Sequence, residues 1–403
     1  MIGGSWFALT LVSFDQVDLT AVADEHLPSP LSLVLTLLLR IEPDELPDCS
    51  TPQADATNLD VILSRRSKYG IMARMTTPLR IVFMGTPEFA VPSLQALLEA
   101  DPEKIGRVVG VVTQPDRPKG RGQQLTPPPV KVLAQEAGLP ILQPLKMKDP
   151  TFLETLKSWA PDLIAVTAFG RILPPVVLDV PPKGCVNVHG SLLPKYRGAA
   201  PIQWAIINGE TETGITTMLM DAGMDTGPVL LQETVPILPM ETTGELAARL
   251  APIGGRLLVK TISGLKDGTL APIPQDHSRA TLAPLLKKED GMLHWDEEAT
   301  ALANRIRGLT PWPGAYTYYG DERWQIWRAE PTNPGCAMAE PGVILEATRE
   351  TIRVAAGKGA LLIRELQPAS GKRLSAKQYL AGHPVKAGSR LGPGPCDHPP
   401  DAL

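Results

Sequence analysis

The sequence predicts an α/β protein: a domain with a mostly parallel sheet covered by helices, followed by a second domain that is a small β-barrel. First, apolar segments typical of strands alternate with amphipathic helical segments from Leu79 onward. Second, the nearly continuous apolar run Leu163–Ala168 is typical of a strand covered on both faces of a parallel sheet. Third, short strand-like segments with Gly-rich turns follow beyond residue 285 and suit a small barrel. A chain of 403 residues is long enough for both domains.

Residues 1–74 differ from the rest of the chain. Up to residue 78 the chain holds five Lys or Arg and ten Asp or Glu, and strand and helix patterns do not alternate. A secretory signal needs a basic start and a transit peptide is poor in acidic residues, so neither fits. The segment is either a poorly ordered extension or the result of a misassigned start, with translation beginning at Met72 or Met75. The abrupt onset of the regular pattern at Leu79 favours the misassigned start.

The first domain is predicted to cover residues 79–269. Its strands are predicted at Leu79–Gly85, Val108–Thr113, Ile141–Gln143, Leu163–Ala168, Val186–His189, Gly214–Met220 and Val229–Val235. Helices are predicted after the first strand, with Pro92 in the first turn, at Val130–Ala137, from Asp149 to Trp159, and at Thr243–Leu265. Within the last of these, Pro252 and the pair Gly254-Gly255 leave open an interruption. Residues 115–129 read as a long loop rich in Pro, Gly and Arg.

The second domain is predicted to cover residues 286–392, after a proline-containing linker at 270–285. Five short strands are predicted, at Ala315–Tyr319, Trp324–Trp327, Gly342–Glu346, Ile352–Ala355 and Leu361–Leu366. The tail, residues 393–403, is rich in Pro and Gly and is predicted to be disordered.

Composition excludes several protein classes. The four cysteines are far apart and form no CxxC pair, so we expect reduced thiols and neither a disulfide frame nor a zinc site. The longest apolar run, Leu31–Leu39, is well short of the roughly 20 residues that span a bilayer. A net charge of −4 permits a polyanionic partner without demanding one. We expect a cytoplasmic monomer without membrane contact.

The most informative segment is the predicted strand that ends at His189. Alternation along a strand puts Asn187 and His189 on one face, and the Gly-rich loop that begins at Asp221 brings in Asp225. A single strand His or Asn is more often a structural group than a catalyst. The shared face, the loop that follows at once and the added carboxylate together favour a site.

These three residue types suit acyl transfer between nitrogens. Such a transfer passes through a tetrahedral oxyanion, to which an amide N–H and an imidazolium N–H can donate. A nearby carboxylate favours the charged imidazole and can hold a water for proton transfer. No Ser or Cys nucleophile lies in the strand and turn, which indicates direct transfer without an acyl-enzyme. The turn Gly85-Thr86-Pro87 lacks the G-x-G-x-x-G pattern, which argues against nicotinamide binding.

Over about residues 79–392 the sequence resembles the folate-dependent formyltransferase family. The motifs that carry the resemblance are Asn187-x-His189 with Asp225 in D-x-G-x-D-T-G, the run from Asn187 to Gln203, the opening Leu79–Pro87, the loop Gln114–Gly122, and Pro311-Trp312-Pro313. The resemblance implies a Rossmann-like catalytic domain and an OB-fold-like tRNA-binding domain. It also implies formyl transfer from 10-formyltetrahydrofolate to the α-amino group of methionyl initiator tRNA, with no metal.

The resemblance also implies roles for individual residues. Asn187, His189 and Asp225 would be catalytic, and Ser191, Leu192, Leu193 and Pro194 would line the folate site. The 115–129 loop, with Arg117, Lys119 and Arg121, would meet the acceptor end of the tRNA, Arg121 making the principal contact. Basic side chains of the second domain are further candidates for tRNA contact: Arg305, Arg307, Lys372, Arg373 and Lys377.

Three alternatives remain open from the sequence. A formyltransferase for an amino sugar or a purine precursor would have less need of the second domain and of the Arg-rich loop. A tRNA-binding protein that has lost catalysis would have no need of Asn187, His189 and Asp225. A folate-dependent hydrolase would release formate without an acceptor.

Overall fold

A computed structural model describes residues 78–119, 124–333 and 339–393. The predicted extension at 1–74 and nearly all of the predicted tail lie outside the described residues. The strands, in chain order, are β1 Arg80–Gly85, β2 Arg107–Val112, β3 Arg117–Lys119, β4 Gln124–Thr126, β5 Ile141–Leu142, β6 Leu163–Thr167, β7 Cys185–His189, β8 Glu212–Leu219 and β9 Val229–Pro236, then β10 Ala315–Tyr319, β11 Glu322–Thr332, β12 Ile344–Ala347, β13 Ile352–Ala355, β14 Ala360–Pro368, β15 Leu374–Ser375 and β16 Leu391–Gly392.

The first domain is built on one seven-stranded sheet in the order β5-β2-β1-β6-β7-β8-β9. The strands from β5 to β7 pair in parallel, whereas β8 and β9 run antiparallel to their neighbours. The prediction of a mostly parallel α/β sheet is confirmed. The helices of this domain are Val91–Glu99, Pro102–Ile105, Pro129–Glu136, Pro150–Ser158, Pro175–Leu178, Pro201–Ile207 and Thr243–Asp267.

Both faces of the central strand β1 are covered. Ile81 and Phe83 lie in the core cluster that includes the helices Val91–Glu99 and Thr243–Asp267. The alternate residues, Val82 and Met84, lie in a second cluster with the helix Pro150–Ser158. All four side chains are fully buried, which explains the continuous apolar sequence of this strand.

The helix Thr243–Asp267 is continuous, so the interruption that its sequence left open is absent. A capping box of Thr242 and Glu245 begins it, and Gly268 ends it in the left-handed conformation. A Cβ on Gly255 would lie 2.6 Å from the carbonyl oxygen of Pro92. Glycine at this position therefore allows a close approach between two helices and does not mark a break.

The predicted loop at 115–129 contains a two-stranded antiparallel hairpin, β3 with β4. Its tip, residues 120–123, lies outside the described residues. The predicted linker is hydrogen-bonded to the first domain along much of its length. Ile273 and Val229 exchange backbone hydrogen bonds of 2.8 Å, and Ala283 donates its N–H to the carbonyl oxygen of Arg197 at 2.7 Å.

The second domain is a curled antiparallel sheet, a half-barrel in the order β12-β13-β14-β11-β10-β16, with β15 on β14. This confirms the predicted barrel-like class, with seven strands instead of five. Two helices, Ala299–Gly308 and Ala376–Leu380, were absent from the prediction. The first of them joins the two domains, because the hydroxyl of Thr243 donates to the carbonyl oxygen of Gly308 at 2.6 Å.

We expect replacement of Trp324 by alanine to lower the free energy of unfolding by about 3–5 kcal/mol. Trp324 is fully buried in the second core, between the rings of Tyr319 and Tyr379. Urea denaturation measures the effect. Trp312→Ala is the matched control, since Trp312 is 49% exposed. Equal losses for the two variants would contradict the placement of this core.

Candidate active site

Three parallel strands end side by side at the carboxyl edge of the first sheet. Gly85 at the end of β1 pairs with Thr167 at the end of β6, and Thr167 pairs with Val188 in β7. In open α/β sheets, ligands bind at this edge. Asn187 and His189 lie in the second half of β7, with His189 as its last residue, and both side chains are buried.

The two ring nitrogens of His189 have different partners. Nε2 lies 2.8 Å from the carbonyl oxygen of Tyr196, and Nδ1 lies 3.6 Å from Oδ2 of Asp225. Because a carbonyl oxygen only accepts, Nε2 carries a proton. Nδ1 is therefore the nitrogen that gains or loses a proton beside the carboxylate.

Asp225 is held in place from two sides. The backbone N–H of Gly198 donates to Oδ2 at 2.8 Å, and Nδ2 of Asn187 lies 3.4 Å from Oδ1. Asp225 itself has a φ of 53°, a left-handed conformation that is costly for a residue with a Cβ. The structure thus brings Asn187, His189 and Asp225 together, as the sequence predicts, and adds Gly198 as the donor that positions the carboxylate.

The loop Ser191–Pro194 is fixed from within. The buried hydroxyl of Ser191 donates to the carbonyl oxygen of Lys195 at 2.7 Å, so it shapes the loop. Thr216 accepts from the N–H of Leu193 at 3.1 Å, and Gln232 donates to the carbonyl oxygen of Leu193 at 2.9 Å. Ser191 and Leu193 are buried, so the exposed surface of this loop is that of Leu192 and Pro194, which are half-buried.

A cavity of about 310 Å³ lies against this loop. Its lining includes Leu192, Leu193, Pro194, Lys195, Tyr196, Glu210, Gln232 and Arg279. Tyr196 also contacts His189 through its carbonyl group, so one residue joins the cavity to the catalytic candidates. Burial raises the pKa of Tyr196 to about 12. Glu210, which accepts a hydrogen bond from the hydroxyl at 2.8 Å, also raises this pKa, whereas the hydrogen bond from Asn208 lowers it. The hydroxyl therefore stays protonated at neutral pH.

The base of the β3–β4 hairpin is anchored to the sheet. Lys131 donates to both carboxylate oxygens of Asp116, at 2.8 and 2.7 Å, and Gln143 donates to one of them at 2.8 Å. Hydrogen bonds from Gln143 and Lys131 lower the pKa of Asp116. The guanidinium of Arg117 donates to Oε1 of Gln114 at 2.6 Å.

The other two predicted tRNA-binding residues are only partly covered by the structure. Lys119 lies at the end of β3, and its side chain is outside the described residues, as is Arg121 altogether. A larger cavity, of about 630 Å³, lies at the base of this hairpin. Its lining includes Thr86, Gln114, Arg117 and Thr126.

Four of the five basic candidates in the second domain already have partners. Arg373 pairs with Glu365 and lies over the ring of Trp327, and Lys377 pairs with Glu350 at 2.6 Å. Arg305 donates to the carbonyl oxygen of Asp290, and Arg307 to the side chain of Asn304. Such pairs are exposed or half-exposed, and an incoming phosphate would compete with them.

Sequence reasoning missed Gln275 and Arg197 as parts of the site. Arg197 is buried and donates to Oε1 of Gln275 at 3.1 and 2.6 Å. Gln275 in turn donates to the backbone of the loop that carries Asp225. No local pattern marks these contacts, because they join residues that are far apart in sequence.

Two absences apply to the described part of the chain only. Across residues 78–119, 124–333 and 339–393, no group of three His, Cys, Asp or Glu side chains is arranged to hold a metal ion. Within the same ranges, no helix combines the length and the apolar character that crossing a membrane requires.

Comparison with known proteins shows the family to which the chain belongs. Residues 79–262 match the family model described as "Formyl transferase", and residues 285–384 match "Formyl transferase, C-terminal domain". A methionyl-tRNA formyltransferase of Trichlorobacter lovleyi is 52% identical over 314 residues, which are 78% of this chain and 97% of the relative. The chain belongs to the formyl transferase family. A methionyl-tRNA formyltransferase of Desulfotalea psychrophila is 53% identical over 309 residues, 77% of this chain and 94% of that relative.

Solved structures of formyl transferases and related proteins share the fold at low identity. WlaRD, a sugar 3N-formyl transferase solved in the presence of dTDP and 5-N-formyl-THF, aligns with a TM-score of 0.54 and 18% identity over 73% of this chain and 99% of its own. A variant of HypX from Aquifex aeolicus aligns with a TM-score of 0.51 and 18% identity over 75% of this chain. The chain spans about half of HypX, 47% of its length.

Proposed function

We propose that this protein transfers a formyl group from 10-formyltetrahydrofolate to the α-amino group of methionyl initiator tRNA. The observation that carries the proposal is the cluster of the buried Asn187 and His189 with the partly buried Asp225, in a chain about half identical to methionyl-tRNA formyltransferases over nearly their whole length. The reaction supplies formylmethionyl-tRNA for the initiation of translation.

In this mechanism, the side chains act on the tetrahedral oxyanion and on its protons. The neutral amine attacks the formyl carbon, a new C–N bond forms, and the bond from that carbon to N10 of the folate breaks. Asn187 donates a hydrogen bond to the oxyanion, and so does Nδ1–H of protonated His189, whose 3.6 Å contact with Asp225 is too long to be a hydrogen bond. Asp225 holds His189 and an ordered water, through which the proton lost by the amine reaches the departing nitrogen.

Folate would lie at the carboxyl edge of the sheet, next to the apolar loop Leu192–Pro194. Two apolar side chains in loops near this edge are exposed. Ile172 lies in the loop that follows β6, and Met224 directly precedes Asp225. Apolar side chains with a few fixed polar groups are typical of sites for flat ring systems. WlaRD, which shares the fold, was solved with a formylated folate.

The acceptor end of the tRNA would meet the β3–β4 hairpin. Arg117, Lys119 and Arg121 are suited to phosphate contacts. Of these, Arg117 lines the 630 Å³ cavity together with Thr86 and Gln114, and the adjacent Asp116 anchors the hairpin base to Lys131. The half-barrel of the second domain would hold the body of the tRNA with basic side chains, of which Lys372 is one candidate.

A formyl-transfer assay tests the proposal. With radiolabelled 10-formyltetrahydrofolate, we expect label on charged initiator tRNA and none on an amino sugar or on a purine-precursor amine. Label on a small amine would favour the sugar or purine alternative. Release of formate without an acceptor would favour a hydrolase, and no turnover at all would favour a tRNA-binding protein.

Replacement of Arg121 by alanine is expected to weaken the use of tRNA while folate binding stays normal. The lost guanidinium removes one phosphate contact, so KM for the tRNA should rise and its dependence on salt should become shallower. The measurement is steady-state kinetics at two salt concentrations, with folate affinity determined by fluorescence titration. A rise in the Kd for folate with an unchanged KM for tRNA would contradict the assignment.

A further inference from the structure

We infer that Gln275, in the segment between the two domains, is a positioning residue for the carboxylate of Asp225. The inference rests on the proposed function, because it gives a role to a residue outside the reacting groups. Gln275 is 92% buried, and both ends of its amide are used. Its Nε2 donates to the backbone carbonyl oxygens of Asp225 at 2.9 Å and of Gly227 at 2.6 Å.

The other end of the amide is fixed by Arg197. The guanidinium donates to Oε1 of Gln275 through Nε at 3.1 Å and through Nη2 at 2.6 Å. Nη2 also lies 3.1 Å from Nδ1 of His277. No salt bridge to Arg197 occurs among the described residues. The buried guanidinium of Arg197 is therefore hydrogen-bonded to neutral acceptors. One of them, the amide of Gln275, also binds the loop that carries Asp225.

These contacts form a closed ring around the carboxylate. Gly198, which directly follows Arg197, donates its N–H to Oδ2 of Asp225, and Gln275 returns from Arg197 to the carbonyl oxygen of Asp225. Asp225 has a left-handed backbone conformation. Without the hydrogen bonds that Gln275 donates to the carbonyl oxygens of Asp225 and Gly227, this backbone would relax toward a commoner conformation. The ring therefore opposes that relaxation and keeps the carboxylate against His189.

The backbone around the ring leaves little freedom for another arrangement. Arg197 donates its N–H to the carbonyl oxygen of Thr281 at 2.8 Å and accepts from Ala283 at 2.7 Å. Gly198 has a φ of 125°, and a Cβ there would lie 2.6 Å from the carbonyl oxygen of Ala283. The segment 275–283 thus packs against Arg197 and Gly198 and, through Gln275, against the loop that carries Asp225.

Two substitutions separate the functions of the amide. Gln275→Glu keeps the shape and the acceptor for Arg197 but removes both donors to the loop, whereas Gln275→Met removes all of these hydrogen bonds. We expect each to lower kcat for formylation of initiator tRNA by about 10- to 100-fold, since small displacements of a catalytic group have effects of this size. KM for both substrates should stay within about twofold, because neither variant changes a substrate contact.

A second measurement does not depend on activity. In both variants, hydrogen–deuterium exchange should become faster in the peptide that contains residues 221–229, while the helix Val91–Glu99 keeps its protection. The control is Gln95→Met on that helix, where the amide contacts Glu99, and it should change neither kcat nor exchange at 221–229. Thermal melting shows whether each variant is folded, and the isosteric Glu variant decides the question if the Met variant is not.

The outcomes are distinguishable. Unchanged kcat and unchanged exchange in Gln275→Glu would overturn the positioning role. A parallel loss of kcat and of substrate affinity, with exchange raised throughout the protein, would also overturn it and indicate a general structural role. If the wild-type protein does not formylate initiator tRNA, the proposed function fails, and exchange at 221–229 still decides whether Gln275 holds the loop.

Discussion

Replacing His189 by alanine is expected to lower kcat for formyl transfer by about 10²–10⁴-fold, the range for loss of a positioned acid or an oxyanion donor. In the proposed mechanism, the imidazole donates a hydrogen bond to the oxyanion. Its Nε2 is held by the carbonyl oxygen of Tyr196, so the ring is oriented before any substrate binds. Single-turnover kinetics with initiator tRNA measures the chemical step directly.

The substitution should leave the fold intact. One buried hydrogen bond is lost at Tyr196, which costs about 1–3 kcal/mol of stability, well below what unfolds a domain of this size. His294→Ala is the matched control, because His294 is exposed and lies in the second domain. Turnover of His189→Ala close to that of the control would exclude His189 from the mechanism.

Replacing Asp225 by asparagine is expected to lower kcat by about 10²-fold or more, since an amide cannot stabilise the charged imidazole or take a proton from water. The variant keeps the volume and one acceptor for the N–H of Gly198. With that oxygen in the place of Oδ2, the NH2 group takes the place of Oδ1 and faces Nδ2 of Asn187, which is also a donor. The loss is therefore electrostatic, and KM values should change little.

Asp179→Asn provides the control for Asp225→Asn, because the Asp179 carboxylate is exposed on the same domain. Thermal melting of both variants should agree within a few degrees. Near-normal turnover of Asp225→Asn in folded protein would contradict the assigned role, as would a loss that folate saturation restores.

Most strands of the seven-stranded sheet follow from local sequence because they are short, largely apolar runs between turn residues. The polar strands β3 and β4 lack this signal and are predicted as part of a loop. Helix boundaries depend on more than local pattern. Pro252 and Gly254-Gly255 weaken the helical pattern, yet the helix continues, since the buried face around Leu250 and Leu258 outweighs the loss of one hydrogen bond. The helix Ala299–Gly308 escaped prediction although, with ten residues, it is longer than the predicted helix Val91–Glu99. Part of its surface packs against the helix Pro201–Ile207 of the other domain, a contact that local sequence does not show.

The site could be predicted only as far as its residues lie in strands and their end loops. Asn187 and His189 share a face by the alternation of β7, and a Gly-rich turn marks Asp225. The contribution of Gln275 depends on side-chain to backbone hydrogen bonds between distant segments, which leave no periodic signal in the sequence. The prediction of a linker at 270–285 follows from its prolines. Prolines do not indicate to which backbone groups of the first domain this segment is hydrogen-bonded.

The pairing of residues 281–283 with Arg197 has a consequence for how the protein matures. The hydrogen bonds from Arg197 to Gln275 and His277 join residues 78 and 80 positions apart. Contacts of such sequence separation form after local ones, because a long loop must close first. During synthesis, the chain emerges in order from its amino end. The proposed site therefore gains its contacts with Gln275 and Ala283 only after that segment has been synthesised, which is later than Asn187, His189 and Asp225.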